Sequence, residues 1–268
     1  MRPKNGWLIV IQARNRFGQN FLIEKSIISK IIESLKISSN DNIIEIGPGK
    51  GALTEKLVES NCTLSLVEID RDLVETLRKK YRGLSIVNED ILKVEFSALF
   101  GGEPKRIIGN LPYNISTPLL FKLSNINEWI IDMHIMLQKE VAERIVSNPS
   151  RKEYGRLSVS MQLFWEATKL FDVAPTAFSP KPKVNSTFMC LKPKKKTNFD
   201  RDLMNRLLTS AFSSRRKTLK NALKNYLDEN ELESLDINPR SRPENLVPAD
   251  FIRCVNFLKK KNDHFYRW

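Results

Sequence analysis

N-I-I-E-I-G-P-G-K-G, Asn42 to Gly51, decides the fold: a β-rich apolar run that stops on three glycines spaced G-x-G-x-G. A short apolar run closed by a glycine cluster reads as a buried strand, and the helical pattern beyond it makes the cluster a strand-to-helix turn. Gly47, Gly49 and Gly51 let the backbone of that turn approach a ligand with no Cβ in the way. Their spacing differs from the dinucleotide pattern G-x-G-x-x-G, and Pro48 stiffens the turn.

Outward from this turn, short β-rich runs alternate with helical patterns, the order of a parallel sheet covered by helices on both faces. Strands are expected over 42–46, 64–68, 84–88, 106–109 and 133–138. Ahead of the sheet, Ile27, Ile28, Ile31, Ile32 and Leu35 recur at helical spacing within 24–35, so one helix face can pack on the core. The runs near 167–173 and 184–191 read as a final antiparallel pair. A lysine-rich stretch at 192–198 reads as a linker. Beyond it, 199–227 and 250–258 are helical in pattern, and Pro239, Pro243 and Pro248 break the segment between them. The expected fold is therefore α/β, with a mostly parallel sheet over 1–196 and a small all-helical C-terminal domain over 197–268.

Two carboxylates and one tetrapeptide bear on chemistry. Glu68, twenty-one residues after Gly47, ends the second strand in L-S-L-V-E, where a carboxylate can accept both ribose hydroxyl protons. Asp90 closes V-N-E-D after the third strand; a helix cap before Ile91 is its other reading. N-L-P-Y, Asn110 to Tyr113, ends the fourth strand. An Asn and backbone carbonyls at a strand's carboxyl end, followed by an aromatic ring, make a seat for a flat base with an exocyclic amine. Such an amine is a poor nucleophile because its lone pair is delocalised into the ring, and acceptors aimed at its two protons favour the pyramidal form. The Asn110 side-chain oxygen and the Leu111 carbonyl are the candidates. Pro112 removes a competing donor, and Tyr113 is placed to stack on the base. The pattern reads as amino methylation of a nucleobase.

The charge balance points the same way. Lys and Arg number 44 against 31 Asp and Glu, a net +13, which favours a polyanionic partner. Residues 185–225 hold 11 of those cations against 2 acids. Cys62, Cys190 and Cys254 are odd in number and lack C-x-x-C spacing, which argues against a disulfide framework or a zinc site, and only His134 and His264 are available for a metal or triad centre. No metal is expected. The apolar run Trp7 to Ile11 is too short to span a bilayer or to form a signal-peptide core, so a cytoplasmic, reduced protein is expected.

F-G-Q-N-F-L (Phe17 to Leu22), E-I-G-P-G-K-G (Glu45 to Gly51), N-L-P-Y-N-I-S-T-P-L (Asn110 to Leu119), D-M-H-I-M-L-Q-K-E-V (Asp132 to Val141), Y-G-R-L-S-V (Tyr154 to Val159), F-S-P-K-P-K-V-N-S (Phe178 to Ser186) and R-R-K-T-L-K-N (Arg215 to Asn221) occur in one order. Together, from about Gln12 to about Leu258, they closely resemble the KsgA-type small-subunit ribosomal RNA adenine dimethyltransferases. The resemblance implies a class I methyltransferase, with a Rossmann-like seven-stranded sheet and S-adenosylmethionine as cofactor. It puts Asp90 on the cofactor's adenine amino group, with Glu89 as rival, and Asn20 and Leu22 on the cofactor lid. Phe178 becomes a second stacking platform opposite Tyr113, a core position being its other reading. Arg14, Arg16, Arg156, Lys181, Lys183, Arg215, Arg216 and Lys217 become candidates for RNA contact, Arg156 having a structural reading as well.

The reaction implied is dimethylation at N6 of two adjacent adenines near the 3′ end of small-subunit (16S) rRNA, within an immature 30S particle, by a monomer. Three alternatives stand beside it. An Erm-type large-subunit methyltransferase shares the glycine turn but usually reads N-I-P-Y. A ribosome assembly factor would bind without needing catalysis, although both roles can coexist. A nicotinamide dehydrogenase also uses a glycine turn and a distant acid, but lacks the N-L-P-Y seat and here has no hydride-transfer pair.

Overall fold

The computed structural model describes residues 19–195, 198–214 and 216–265, with side chains through residue 261. Arg14, Arg16 and Arg215 lie outside the described residues. The chain divides into two compact units, one of residues up to Lys139 with Leu170–Cys190, the other of Glu140–Lys169 with the residues from Leu191 onward.

In the first unit a two-residue strand, β1 (Phe21–Leu22), precedes helix α1 (Lys25–Leu35). The alternating core follows as β2 (Asn42–Ile46), α2 (Ala52–Glu59), β3 (Thr63–Glu68), α3 (Arg71–Lys80), β4 (Ser85–Asn88), α4 (Phe96–Phe100), β5 (Lys105–Asn110), α5 (Tyr113–Ser124) and β6 (Ile130–Gln138). After α6 (Lys139–Val146) and α7 (Arg156–Phe164) come β7 (Trp165–Val173), β8 (Phe178–Ser179) and β9 (Ser186–Pro193). The remaining helices are α8 (Arg201–Ala211), α9 (Leu219–Ala222), α10 (Glu229–Ser234) and α11 (Pro248–Phe265).

Seven strands form one sheet in the order β4-β3-β2-β5-β6-β9-β7, and the pairs β3/β4, β2/β3, β2/β5 and β5/β6 are parallel. The strands run as near-continuous Ile, Leu and Val because parallel strands are buried on both faces. Ile43, Ile44, Leu66, Ile107 and Ile108 are all fully buried. Strand β2 sits centrally, with the chain progressing toward β3 and β4 on one side and toward β5 and β6 on the other. That reversal opens a crevice outside the carboxyl ends of β2 and β5, the place where open α/β sheets bind ligands. The ends that face it are Ile46, Glu68, Asn88 and Asn110.

Helix boundaries follow local chemistry. Asp70 caps α3 by accepting the Asp72 N–H at 3.0 Å, and Arg78, Lys79 and Lys80 occupy its last turn, where cations complement the helix dipole. At the opposite end of β5, Arg106 is buried and forks onto Asp132 of β6 at 2.9 and 3.0 Å, while also donating to Asp41 at 2.7 Å and to the Leu35 carbonyl at 2.8 Å. Burial alone would depress the neighbouring His134, but its contact with Asp132 prevails and holds it protonated to about pH 9.

The second unit has its own core, in which Tyr154, Val159 and Leu163 cluster with Leu207, Leu208, Phe251 and Val255. A boundary at 196/197 would cut that cluster. Helix α7 packs with α11, which also packs with α8, so residues 140–169 group with the C-terminal helices. Periodicity reveals an apolar face on α7 without naming its partner.

Candidate active site

The crevice is a cavity of about 330 Å³ within the first unit. Its lining gathers Asn20, Leu22, Gly47, Gly49, Glu68, Asp90, Asn110, Leu111, Pro112 and Tyr113, which sequence reasoning had singled out from five separate stretches. Gly51 is not in the lining; it caps α2 and packs near Leu77 and Tyr81.

All three turn glycines have positive φ, +68°, +58° and +85° in chain order. Gly49 is the most constrained, because a Cβ there would lie 2.9 Å from Cδ1 of Phe21. Its N–H donates to Glu68 at 3.1 Å, and the other Glu68 oxygen accepts the Asp70 N–H at 2.9 Å. The acid at the end of β3 is thus built into the turn it serves. Burial raises the Glu68 pKa, while those two N–H groups pull it back. Asn88 donates to the Glu68 carbonyl at 2.9 Å, tying the end of β4 beside it.

Asp90 is half-buried and accepts the Leu92 N–H at 2.9 Å, so it does cap the following turn, and it also lines the cavity. Its rival Glu89 lines the cavity as well and is exposed. One carboxylate that sequence reasoning passed over is Glu45, only 1% exposed and hydrogen-bonded at 2.7 Å by the Thr54 hydroxyl. Burial, helped by the neighbouring Glu68, pushes it up to about 7. Its position directly ahead of I-G-P-G was the available signal.

Asn110 ends β5, and its Nδ2 donates to the Asn20 carbonyl at 2.8 Å. An amide has one donor end and one acceptor end, so this bond fixes its orientation and leaves Oδ1 as the end free to accept. Pro112 caps α5, with φ −57° and ψ 134°, and its carbonyl accepts the Ser116 hydroxyl at 3.0 Å. Tyr113 opens that helix half-buried, with its hydroxyl 2.6 Å from Ser186 Oγ. The ring is therefore anchored at its polar tip.

Phe178 is placed elsewhere than expected. Its ring is 1% exposed in the hydrophobic cluster with Leu22, Ile31 and Phe188, and the residue does not line the cavity. A ring so covered has no face to offer a base. What it does is pair: β8 runs antiparallel to β1, with Leu22 opposite Phe178, and so holds the strand next to Asn20. Lys181 and Lys183, which follow, are exposed, as are Arg216 and Lys217 in the second unit. Arg156 is exposed at the start of α7 and lines a smaller hollow of about 240 Å³ with Arg144, Glu153 and Glu244.

Comparison with known proteins agrees with this geometry. The model of the ribosomal RNA adenine dimethylase family matches residues 10–260. A ribosomal RNA small subunit methyltransferase A from Aromatoleum aromaticum is 45% identical over 94% of this chain and 96% of that protein. Another of the same name, from Acinetobacter baylyi, is 46% identical over 90% of each. Among solved structures, a dimethyladenosine transferase from Plasmodium falciparum superposes with a TM-score of 0.77 at 31% identity, covering 90% of this chain and 98% of that one. The 23S rRNA methyltransferase ErmE shares the fold, with a TM-score of 0.64 at 24% identity over 90% of this chain and all of that one. Matched by that family model over nearly its whole length, and carrying this crevice at the carboxyl ends of its strands, the chain belongs to the ribosomal RNA adenine dimethylase family.

Proposed function

We propose that this chain transfers methyl groups from S-adenosylmethionine to N6 of two adjacent adenines near the 3′ end of small-subunit rRNA, leaving each dimethylated. The observation that carries the reading is the Asn110 amide, whose Nδ2 is committed to the Asn20 carbonyl and whose Oδ1 is left to accept from an exocyclic amine.

The lining suits the cofactor. Among the described residues of the lining, Glu45, Glu68, Glu89 and Asp90 are set against one basic residue, Lys50, which favours a ligand with positive charge. Glu68 would hold the ribose, Asp90 the adenine amino group, and the turn from Gly47 to Gly49 the portion nearest the backbone. When bound, S-adenosylmethionine supplies an electrophilic methyl on its sulfonium.

The chain's own residues then orient and polarise. Asn110 Oδ1 and the Leu111 carbonyl accept the two N6 protons, which draws the nitrogen lone pair out of conjugation and stabilises the pyramidal transition state. Tyr113 stacks on the base and limits its tilt, so the amine is held in line for transfer. No protein nucleophile takes part, and the spent proton passes to water. A base within a helix cannot reach this seat and enters flipped or unpaired, at a cost of about a few kcal/mol that stacking on Tyr113 offsets.

Contacts to the RNA backbone fall to Arg14, Arg16, Arg156, Lys181, Lys183, Arg215, Arg216 and Lys217, with the helical C-terminal segment as a recognition element. The substrate is the immature 30S particle, the working form a monomer, and the compartment the cytoplasm. Among the described residues no helix is long and apolar enough to cross a membrane. The test is incubation with labelled S-adenosylmethionine and undermethylated small subunits, followed by mass-spectrometric mapping. Paired dimethyladenosines near the 3′ end are expected; modification of large-subunit RNA instead would overturn the reading.

A further inference from the structure

We propose that Phe21 is a positioning residue for methyl transfer, fixing the Asn20 carbonyl that holds the Asn110 amide and so linking the aim of the acceptor oxygen to the cofactor-binding turn. The inference rests on the role given to Asn110 above.

Three contacts form the link. Phe21 is buried and lies over Gly49, close enough that a Cβ at that position would meet Cδ1 at 2.9 Å and Cε1 at 3.0 Å. The Lys50 ammonium sits over the Phe21 ring, 4.9 Å from its centroid. Two consecutive residues of the turn therefore hold one aromatic ring. The residue before it, Asn20, accepts the 2.8 Å hydrogen bond from Asn110 Nδ2. Pairing of Phe21 and Leu22 with Ser179 and Phe178 fixes the strand from its other side.

The consequence is mechanical. A primary amide can flip end for end unless its two ends are told apart, and here the Asn20 carbonyl tells them apart. That carbonyl lies just ahead of the two-residue strand β1, which is too short to be rigid alone. The Phe21 ring adds rigidity to it by seating against the Gly49 backbone. If the ring leaves, Asn20 drifts, the amide turns, and a donor can face the incoming amine where an acceptor is needed.

The experiment uses the full chain, undermethylated small subunits and saturating S-adenosylmethionine. Phe21→Ala is expected to lower the single-turnover rate about 10- to 100-fold, the scale of a misplaced catalytic contact, while Phe21→Tyr, which keeps the ring, stays within about threefold. In an Asn110→Asp background, where no Nδ2 donor exists, Phe21→Ala should cost less than about threefold, since residues acting through one another are not additive. Equal losses in both backgrounds, or a loss confined to cofactor KM with the rate unchanged, would overturn the proposal. If the aspartate variant is inactive, the ¹⁵N-labelled side-chain amide of Asn110 decides: the separation of its two proton resonances, widened in the parent chain by the bond to the Asn20 carbonyl, should shrink to that of a free asparagine side chain in Phe21→Ala. An unchanged pair refutes the link. That readout needs no substrate, so it remains decisive even if small subunits prove not to be methylated.

Discussion

Glu45→Gln tests whether the cavity is built at a cost to stability. The Glu45 carboxyl titrates near 7 in the folded chain because it is buried, against an ordinary value of 4.5. Between those two values the folded chain keeps a proton that the unfolded chain releases, so stability falls as pH rises from about 4.5 to about 7 and is level above. A separation of about 2.5 pH units corresponds to about 3 kcal/mol. Glutamine is neutral throughout and can still accept the Thr54 hydroxyl, so the variant should match the parent at pH 5 and exceed it by about 2 to 3 kcal/mol at pH 8. For a chain of this size that is an increase of about 5 to 10 °C in Tm. Glu68, raised by burial too, contributes a slope of the same sign to both proteins, and the difference between them reports Glu45 together with its coupling to Glu68. Thermal unfolding followed by circular dichroism from pH 5 to 9 makes the comparison. Parallel curves, or a variant less stable at pH 8, would refute the reasoning. The gain should come with weaker cofactor binding, since the variant removes one of the four carboxylates that suit a cation.

Asn110→Ala should abolish detectable transfer while equilibrium dialysis shows cofactor binding within about threefold of the parent, because the acceptor acts mainly in the transition state; near-normal turnover would defeat the mechanism. Gly109→Ala places a Cβ 2.5 Å from the Ile46 carbonyl and forces β5 away from β2 just before Asn110. It should cost about 1 to 3 kcal/mol in urea unfolding and, measured on the folded protein, lower the transfer rate by about 100-fold. Arg106→Met strips the buried partner from Asp132 and Asp41 and should destabilise by about 3 to 5 kcal/mol, with the folded fraction still binding cofactor normally.

The strands were legible because burial on both faces leaves little room for ambiguity: β2 runs over Asn42–Ile46 as read, β3 and β4 differ from their readings by one residue at one end, and β5 by one residue at each end. Strand β6 begins at Ile130, earlier than the expected 133, because Asp132 interrupts the apolar run. That Asp reads as a break in sequence and is a ligand of Arg106 in space. Asn20, Leu22, Glu68, Asp90 and Asn110 were legible as motif positions, and the fold brings them to one cavity. The grouping of α7 with the C-terminal helices was not legible, since an amphipathic face records that something covers it and not what.

Phe21 and Phe178 show the same limit at the site itself. Both lie in motifs that sequence reasoning marked, yet it chose Asn20 and Leu22 on either side of Phe21 and gave Phe178 the base. An aromatic residue in a functional motif can touch the ligand or support what touches it, and composition does not separate the two. Packing does: Phe178 backs the strand at Leu22, and Phe21 fills the space that Gly49 leaves. The absence of a side chain at Gly49 then has a use besides close approach of a ligand, because it admits the ring beside the residue that orients Asn110. On the proposed reading the glycine turn serves the cofactor by its backbone and the target base by what it allows to pack on it.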